Sequence, residues 1–368
     1  MRILVDYRAA LRARTGVGEY IHELVRAYCG AYGDEMMLFS SSWKDRPDAA
    51  VARAMGATLV DRRIPVRALN LLWHRAEWPP AETLAGAVDV THSAHPLLLP
   101  SRAAAQVVMI HDLNFLSHPE RTRAEIRRDY PALTRDHAHR ADAIIVPPHF
   151  TAGEVERKLE VPAGRIGVCS PGAPDWSPRT AVPPNGYVLF VGTLEPRKNV
   201  GTLLDAYERL LARRRPPDLV LAGKATDESG AWLERIGRPP LAGHARHIGY
   251  VEAADRKALY EGAAVLVQPS YEEGFGIPVL EAMTIGVPVV AANRGALPEV
   301  LGDAGLLFEA EDADALESAL DRMLTDQSLA AASAAKGAVR SQGFRWDRAA
   351  ERVIEVYRQA IERRARRR

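Results

Sequence analysis

The chain has 368 residues, 47% of them hydrophobic, and a formal net charge of +1. That is enough for two domains with two cores, and it lacks the global positive field expected of a nucleic-acid binder. Cys29 and Cys169 are far apart, form no metal pattern, and read as buried thiols of a reducing compartment. The opening Met1–Val5 runs straight into a strand with no signal-peptide layout. No apolar run reaches the roughly 18–20 residues of a membrane span, so the expectation is a cytoplasmic protein, with peripheral contact on the inner membrane face left open.

Residues 2–6 predict the first strand. Asp6-Tyr7-Arg8 then leads to a loop, Arg14-Thr15-Gly16-Val17-Gly18, and a helix over 19–28 with Tyr20, Ile21, Leu24, Val25 and Tyr28 on its apolar side. Ile21 stands where a dinucleotide fingerprint would have its third glycine, so this G-x-G alone says little. Strand-like runs at 36–40, 57–60, 88–92, 107–111, 143–146 and 165–169, with helices between most of them, predict an α/β doubly wound parallel sheet. Val66–Pro80, with Trp73 and Trp78 among Arg67, His74 and Arg75, is expected to be partly buried, as core or as a surface for an acceptor or a membrane.

The run Val107–Ile110 ends in His111-Asp112 at the carboxyl edge of that sheet. His111 can donate to a sugar hydroxyl or a phosphate oxygen, with Asp112 fixing its tautomer or accepting from a sugar; the alternative is a capping pair, with Asp112 turning the chain and His111 packed. Residues 120–140 predict a basic helix interrupted near Pro131 and carrying Arg121, Arg123, Arg127, Arg128, Arg135 and Arg140. Such a face is either solvated or suited to anionic lipid.

Pro171–Pro184 holds five prolines and no apolar period, and reads as an interdomain linker. Alternation restarts at Tyr187–Val191, followed by Gly192-Thr193-Leu194-Glu195-Pro196-Arg197-Lys198-Asn199 and a helix from about Val200. A planar fork and a point charge side by side, Arg197 and Lys198, suit a diphosphate. Further strands are predicted over 218–222, 245–249, 263–267 and 286–291. The 263–267 strand leads into Pro269–Met283, with Gly274, Phe275 and Gly276 before a helix that has Pro278 in its first turn. Glycines at a helix start let a phosphate approach free N–H groups. Glu281 would repel that phosphate unless it faced a neutral diol such as a ribose, and Glu273 suits a second polyol. A phosphate flanked by two polyols describes a sugar nucleotide.

Asp312-Ala313-Asp314 spells D-x-D but precedes a helix and reads as an N-cap. His92/His95 and His244/His247 have H-x2-H spacing without a completing ligand, so no metal is expected. A last helix over 347–364 is followed by a basic tail, Arg363–Arg368, expected to fray.

Glu273 and Glu281, with GFGIPVL between them, resemble the E-x7-E motif of retaining glycosyltransferases of family 4. The Gly192–Asn199 stretch is similar to the family's G-T-x-x-x-x-K-N pattern, and Gly16–Gly18 to its N-terminal glycine loop. His111-Asp112 is similar to a pair found in many of its mannosyltransferases. The resemblance implies the GT-B fold, two Rossmann-like doubly wound domains facing a central cleft. Residues 1–178 with the helix of 345–368 would form the acceptor side, and 185–342 would bind the donor. It implies that a hexose passes from a nucleoside diphosphate sugar, GDP-mannose as first guess, to a glycan or lipid-linked hydroxyl in cell-surface polysaccharide synthesis. Anomeric configuration would be retained, without cofactor, metal or nucleic acid.

In that reading Glu273, His111, Arg197 and Lys198 are catalytic. Gly16, Val17, Gly18, Gly192, Thr193, Val251, Gly274, Phe275, Gly276 and Glu281 bind the donor, with Tyr250-Val251 at the nucleobase and Asn293–Val300 beside the diphosphate. Two other classes fit the same residues. One is a sugar-nucleotide epimerase of similar fold, which would form product without an acceptor. The other is a non-catalytic sugar-nucleotide or membrane-binding protein.

Overall fold

Near-continuous apolar runs become strands covered on both faces, as parallel sheets require. The computed structural model describes residues 1–11, 16–43, 45–119 and 124–367, with backbone only over 124–129. The chain forms two compact units, Met1–Gly172 with Arg345–Arg368, and Ala173–Phe344.

In the first unit, β1 (Arg2–Asp6), β2 (Glu35–Ser40), β3 (Thr58–Asp61), β4 (Val90–Ser93), β5 (Ala105–Met109), β6 (Ala143–Val146) and β7 (Ile166–Val168) form one sheet. Its order is β3-β2-β1-β4-β5-β6-β7, and every described pairing is parallel. The second unit holds β8 (Tyr187–Val191), β9 (Leu219–Ala222), β10 (Ala245–Gly249), β11 (Ala263–Gln268), β12 (Val289–Ala292) and β13 (Leu306–Phe308), in the order β10-β9-β8-β11-β12-β13, also parallel. Strand order reverses between β1 and β4 in one sheet and between β8 and β11 in the other. The crevice outside the carboxyl ends of such strands is where α/β sheets take ligands.

Each core follows from helical spacing laid on these strands. In the second unit Leu203, Leu204, Tyr207 and Leu210 of helix Val200–Arg213 are buried at three- and four-residue intervals, in one core with Leu189 and Leu266. In the first, helix Trp346–Arg366 buries Ala349, Ala350, Val353, Ile354, Tyr357 and Ala360 with β1, β4 and β5 residues, and the Tyr357 hydroxyl meets His92 Nδ1 at 2.7 Å.

Several expectations are corrected. Gly16 and Gly18 belong to the first turn of helix Gly16–Ala31 rather than to a loop; Arg14 and Thr15 lie outside the described residues. The helix Ala124–Arg140 runs through Pro131 without a break. Beyond Pro131 it buries Thr134, His137 and Ala138, and packing of this kind offsets a proline's missing N–H. Arg121 and Arg123 lie outside the described residues, and the side chains of Arg127 and Arg128 likewise.

The proline-rich stretch is not a free linker. From Ala173 it belongs to the second unit, where Arg179 N–H donates to Ile285 O at 2.9 Å and Trp176 lies 6.0 Å from the Tyr260 ring. The basic tail is helical to Arg366 and anchored. Arg363 donates to Asp142 O at 3.2 Å, Arg364 to Arg102 O at 3.1 Å, and Arg367 to Arg140 O at 3.1 Å. Cys169 is buried, its thiol pushed up by burial to about 12, whereas Cys29 is only partly buried. In Val66–Pro80, helix Val66–Ala76 buries Leu69 and Trp73 while Leu71, Leu72 and Trp78 stay exposed, so the segment is partly buried. Among the described residues no helix is long and apolar enough to cross a membrane.

Candidate active site

The two loops leaving β8 and β11, at the reversal of the second sheet, are stitched together by backbone and one side chain. The first passes through Gly192 and a 3-10 turn, Pro196–Lys198. Asn199 then adopts φ 55°, a left-handed conformation that asparagine tolerates better than most side chains. Its Nδ2 donates to Pro269 O at 3.0 Å and to Ala310 O at 2.7 Å, and its Oδ1 accepts from Thr202 Oγ1 at 2.7 Å. Tyr271 N–H donates to Arg197 O at 2.9 Å. Asn199 therefore fixes both loops, a role that its place in the loop motif alone did not reveal.

This brings Arg197, Lys198 and Glu273 together. Glu273 is 6% exposed. Its Oε1 accepts from Lys198 Nζ at 2.5 Å, Gln268 Nε2 at 2.7 Å and Ser270 Oγ at 2.7 Å. Arg197 Nη1 lies 3.6 Å from its Oε2, while Arg197 Nε rests on Glu195 Oε1 at 2.6 Å. Burial by itself would raise the Glu273 carboxyl, but Lys198 and Arg197, with the Ser270 hydrogen bond, outweigh it and hold it at about 2. Burial and the neighbouring Arg197 press Lys198 downward, against the opposing pull of Glu273. Gln268, Ser270 and Glu195 were missed from sequence. The one available signal was Gln268, a polar residue ending an otherwise apolar strand.

A third loop supports Glu273 from behind. Gly295 has φ 58°, and a Cβ there would stand 2.9 Å from both the N and O of Glu273. Ala296 N–H donates to Glu273 O at 3.2 Å. Only glycine allows this backbone to lie so close.

The remaining expected donor residues divide. Gly276, at φ 103°, caps helix Ile277–Ile285, and Gly274 lies between it and Glu273 in the same loop. Gly192 lies under the Lys198 stem, a Cβ there being 3.5 Å from Lys198 Cε, and Thr193 follows it, half-buried. Val251 follows β10, half-buried against the core. Phe275 is turned into the core, edge-on to Phe344 with ring centroids 5.6 Å apart, which leaves only its backbone for a ligand. Glu281 meets Arg256 Nη1 at 3.1 Å and Tyr260 Oη at 2.7 Å. The Arg256 partner offsets the Glu281 charge locally, which removes the objection that a carboxylate in this helix would repel an anion at its start.

Gly16, Val17, Gly18 and His111 lie in the first unit. A Cβ on Gly18 would stand 2.4 Å from Ala9 O, so close packing of the helix on the turn Arg8–Ala10 is by itself a reason for that glycine. His111 Nε2 lies 3.1 Å from Ala94 O, a group that only accepts, so Nε2 carries the proton and Nδ1 the lone pair. Burial lowers its pKa to about 4, leaving it neutral at pH 7. His111 is thus built to accept from a hydroxyl rather than donate to a phosphate. Ala94, not Asp112, sets its tautomer; Asp112 Oδ1 accepts from Asn114 N–H at 3.1 Å and turns the chain. Asp312 is an N-cap, accepting from Ala315 N–H at 2.8 Å. Among the described residues no three His, Cys, Asp or Glu converge as a metal ligand set.

Residues 178–340 match the family description "Glycosyl transferases group 1", and residues 14–177 match "Glycosyltransferase Family 4". The O-antigen chain mannosyltransferase B of Escherichia coli is 31% identical over 367 residues, covering 93% of this chain and 96% of that protein. The phosphatidyl-myo-inositol mannosyltransferase of Mycolicibacterium smegmatis is 35% identical over 174 residues, 46% of this chain and 44% of its own length. Sucrose-phosphate synthase from Thermosynechococcus elongatus superposes with a TM-score of 0.76 at 20% identity, over 97% of this chain and 98% of that one. With two Rossmann-like sheets, paired loop motifs and a full-length relative of this kind, the chain belongs to the group 1 glycosyltransferases of family 4: it is a hexosyltransferase of GT-B fold.

Proposed function

We propose that the protein transfers mannose from GDP-mannose, with retention of anomeric configuration and without a metal, to a glycan or lipid-linked hydroxyl in cell-surface polysaccharide synthesis. The observation that carries the chemistry is the cluster of Arg197 and Lys198 around Glu273 at the reversal point of the second sheet. The mannosyltransferase relatives favour the sugar.

Departure of a nucleoside diphosphate from an oxocarbenium-like carbon builds negative charge on the leaving oxygen. In this reading Arg197, Lys198 and the N-terminal end of helix Ile277–Ile285 face the developing charge and supply the compensation a metal gives elsewhere. In taking up a diphosphate the two cations exchange carboxylate partners, Glu195 and Glu273, for phosphate oxygens. Glu273, held at about 2, is ionised and a weak base. It suits holding sugar hydroxyls better than abstracting a proton. The acceptor's proton then passes to the departing diphosphate on the same face as attack, which preserves configuration. Glu281, oriented by Arg256 and Tyr260, keeps the ribose reading. The exposed Leu71, Leu72 and Trp78 make reversible contact with an anionic membrane part of the proposal, for delivery of a lipid-linked acceptor.

A thermal-shift panel of GDP-mannose, UDP-glucose, UDP-N-acetylglucosamine and the bare diphosphates tests the donor. A ligand at a hundred times its Kd stabilises by about 2.7 kcal/mol, enough to rank them. GDP-mannose should raise the melting temperature most. A larger rise with a uridine nucleotide would replace the guanosine assignment.

A further inference from the structure

The reversal point of the first sheet carries a second polar cluster that the donor chemistry does not use. Asp6 ends β1 and is 1% exposed. Arg8 grips it with both prongs, Nε to Oδ1 at 2.8 Å and Nη2 to Oδ2 at 2.7 Å. The third guanidinium nitrogen donates to Asn70 Oδ1 at 2.9 Å, and the group lies 5.1 Å from the Trp73 ring and 5.7 Å from that of Phe39. His95, in the loop after β4, places Nε2 at 3.2 Å from Asp6 Oδ2 and Nδ1 at 3.2 Å from Ser93 Oγ. Asp6 and Ser93 are buried, but the His95 side chain keeps 36% of its surface exposed.

Stability alone is a weak reason for such a cluster. A buried ion pair costs its desolvation, and apolar residues of similar volume often serve as well. What the pair achieves here is to hold one imidazole at the carboxyl edge in a defined tautomer. Burial works against the Asp6 charge, but Arg8 and the hydrogen bonds from Arg8 and His95 overcome it, so the carboxylate stays ionised well below the usual range and accepts a hydrogen bond from Nε2. With Nε2 directed at Asp6, Nδ1 meets the Ser93 hydroxyl. One residue earlier, Ala94 O fixes His111 so that its Nδ1 is also an acceptor. The segment Ser93-Ala94-His95 thus orients two histidines as hydroxyl acceptors.

We infer that His95 is a contact for the acceptor sugar, receiving a hydrogen bond from an acceptor hydroxyl at Nδ1 in place of Ser93, and that Asp6 and Arg8 are positioning residues acting through it. This rests on the proposed transfer reaction and assigns the acceptor side of it. The partner chemistry is a sugar hydroxyl, which fits the hydroxyl of Ser93 that Nδ1 already meets at 3.2 Å.

The test uses full-length His95→Ala, His95→Gln and Asp6→Asn proteins, with GDP-mannose as donor and methyl α-mannoside as acceptor, and follows hydrolysis of GDP-mannose by water in parallel. Loss of one hydrogen bond should raise the acceptor KM about tenfold in His95→Ala and Asp6→Asn, and less in His95→Gln, which retains an acceptor oxygen. Donor KM and the rate of hydrolysis should match the wild type in all three. The inference is overturned if donor KM rises in step, or if the acceptor KM of a variant melting at the wild-type temperature stays within about twofold of normal. If the wild type turns over no GDP-mannose, the donor assignment fails instead. Methyl α-mannoside is then titrated alone into protein labelled with 15N-histidine: a displaced His95 Nδ1 resonance supports the contact, and an unmoved one overturns it.

Discussion

The two sheets reverse their strand order at equivalent places, and both reversal points hold a buried carboxylate gripped by an arginine or lysine. They are assembled differently. In the first unit Asp6 and Arg8 are two residues apart at one strand end, and the arginine rests against the adjoining Phe39 and Trp73 rings. In the second, Lys198 and Glu273 are 75 residues apart on loops that leave the paired strands β8 and β11, and Asn199 and the Tyr271 backbone tie those loops together. A local pair with a pinned cation is a fixture that orients something else. A pair made across two loops, with a second cation beside it, can exchange partners. On the proposed mechanism the first cluster orients a neighbour and the second exchanges its partners for ligand oxygens, and this contrast can be broken at several points.

The largest effect is expected at the exchanging pair. Lys198→Ala and Glu273→Ala should each lower turnover by about a hundredfold or more, the scale of losing one preorganised charge contact. Near-normal turnover in either would remove the pair from the mechanism.

The next effect is on stability and is read against pH. The Glu273 carboxyl stands at about 2 in the folded protein against an ordinary 4.5. A carboxyl depressed by folding contributes stability that is complete above its unfolded pKa and is lost as pH falls through its folded one. Between pH 4.5 and about 2 the loss should reach the order of 3 kcal/mol at most. Urea unfolding of the wild type and of the Glu273→Gln/Lys198→Met double variant separates this contribution from that of other acids. An equal pH slope in the two proteins would show that the pair contributes nothing to it.

Gly295→Ala sharpens the same comparison. Its left-handed backbone and its 2.9 Å approach to Glu273 N and O predict a loss of about 1–3 kcal/mol in urea unfolding, with a fall in turnover at unchanged acceptor KM. Unaltered turnover would mean that the position of the Glu273 backbone is not critical. The smallest effect is at Glu195. Removing its charge in Glu195→Gln frees Arg197 for phosphate and should lower donor KM by about threefold. A rise in donor KM would show that Glu195 orients Arg197 rather than competing for it.

What could be read from sequence divides along the same line. The alternating strands and both loop motifs of the second unit were legible because each lies in one short stretch with glycine, proline and charge at fixed spacing. Gln268, Ser270 and the stitching role of Asn199 were not, since they depend on where a second loop lands. In the first unit, Asp6-Tyr7-Arg8 reads as an ordinary exit from a strand, and His95 drew notice only as half of an H-x2-H spacing with His92. The structure sends those two rings to different partners, Asp6 and Tyr357. Glu281 and Phe275 show the converse. Their places in the motif were legible, but the partners that turn one toward Arg256 and the other into the core come from other elements.

The central claim, that positioned cations at the second reversal point carry a retaining transfer, is tested most directly by the anomeric configuration of the product. Proton NMR should follow the first mannoside formed from GDP-mannose and methyl α-mannoside in the presence of EDTA. The account predicts an α-linked product, the configuration of the donor, formed at the rate seen without chelator. A β-linked product, or activity lost to EDTA and restored by Mg²⁺ or Mn²⁺, would contradict it.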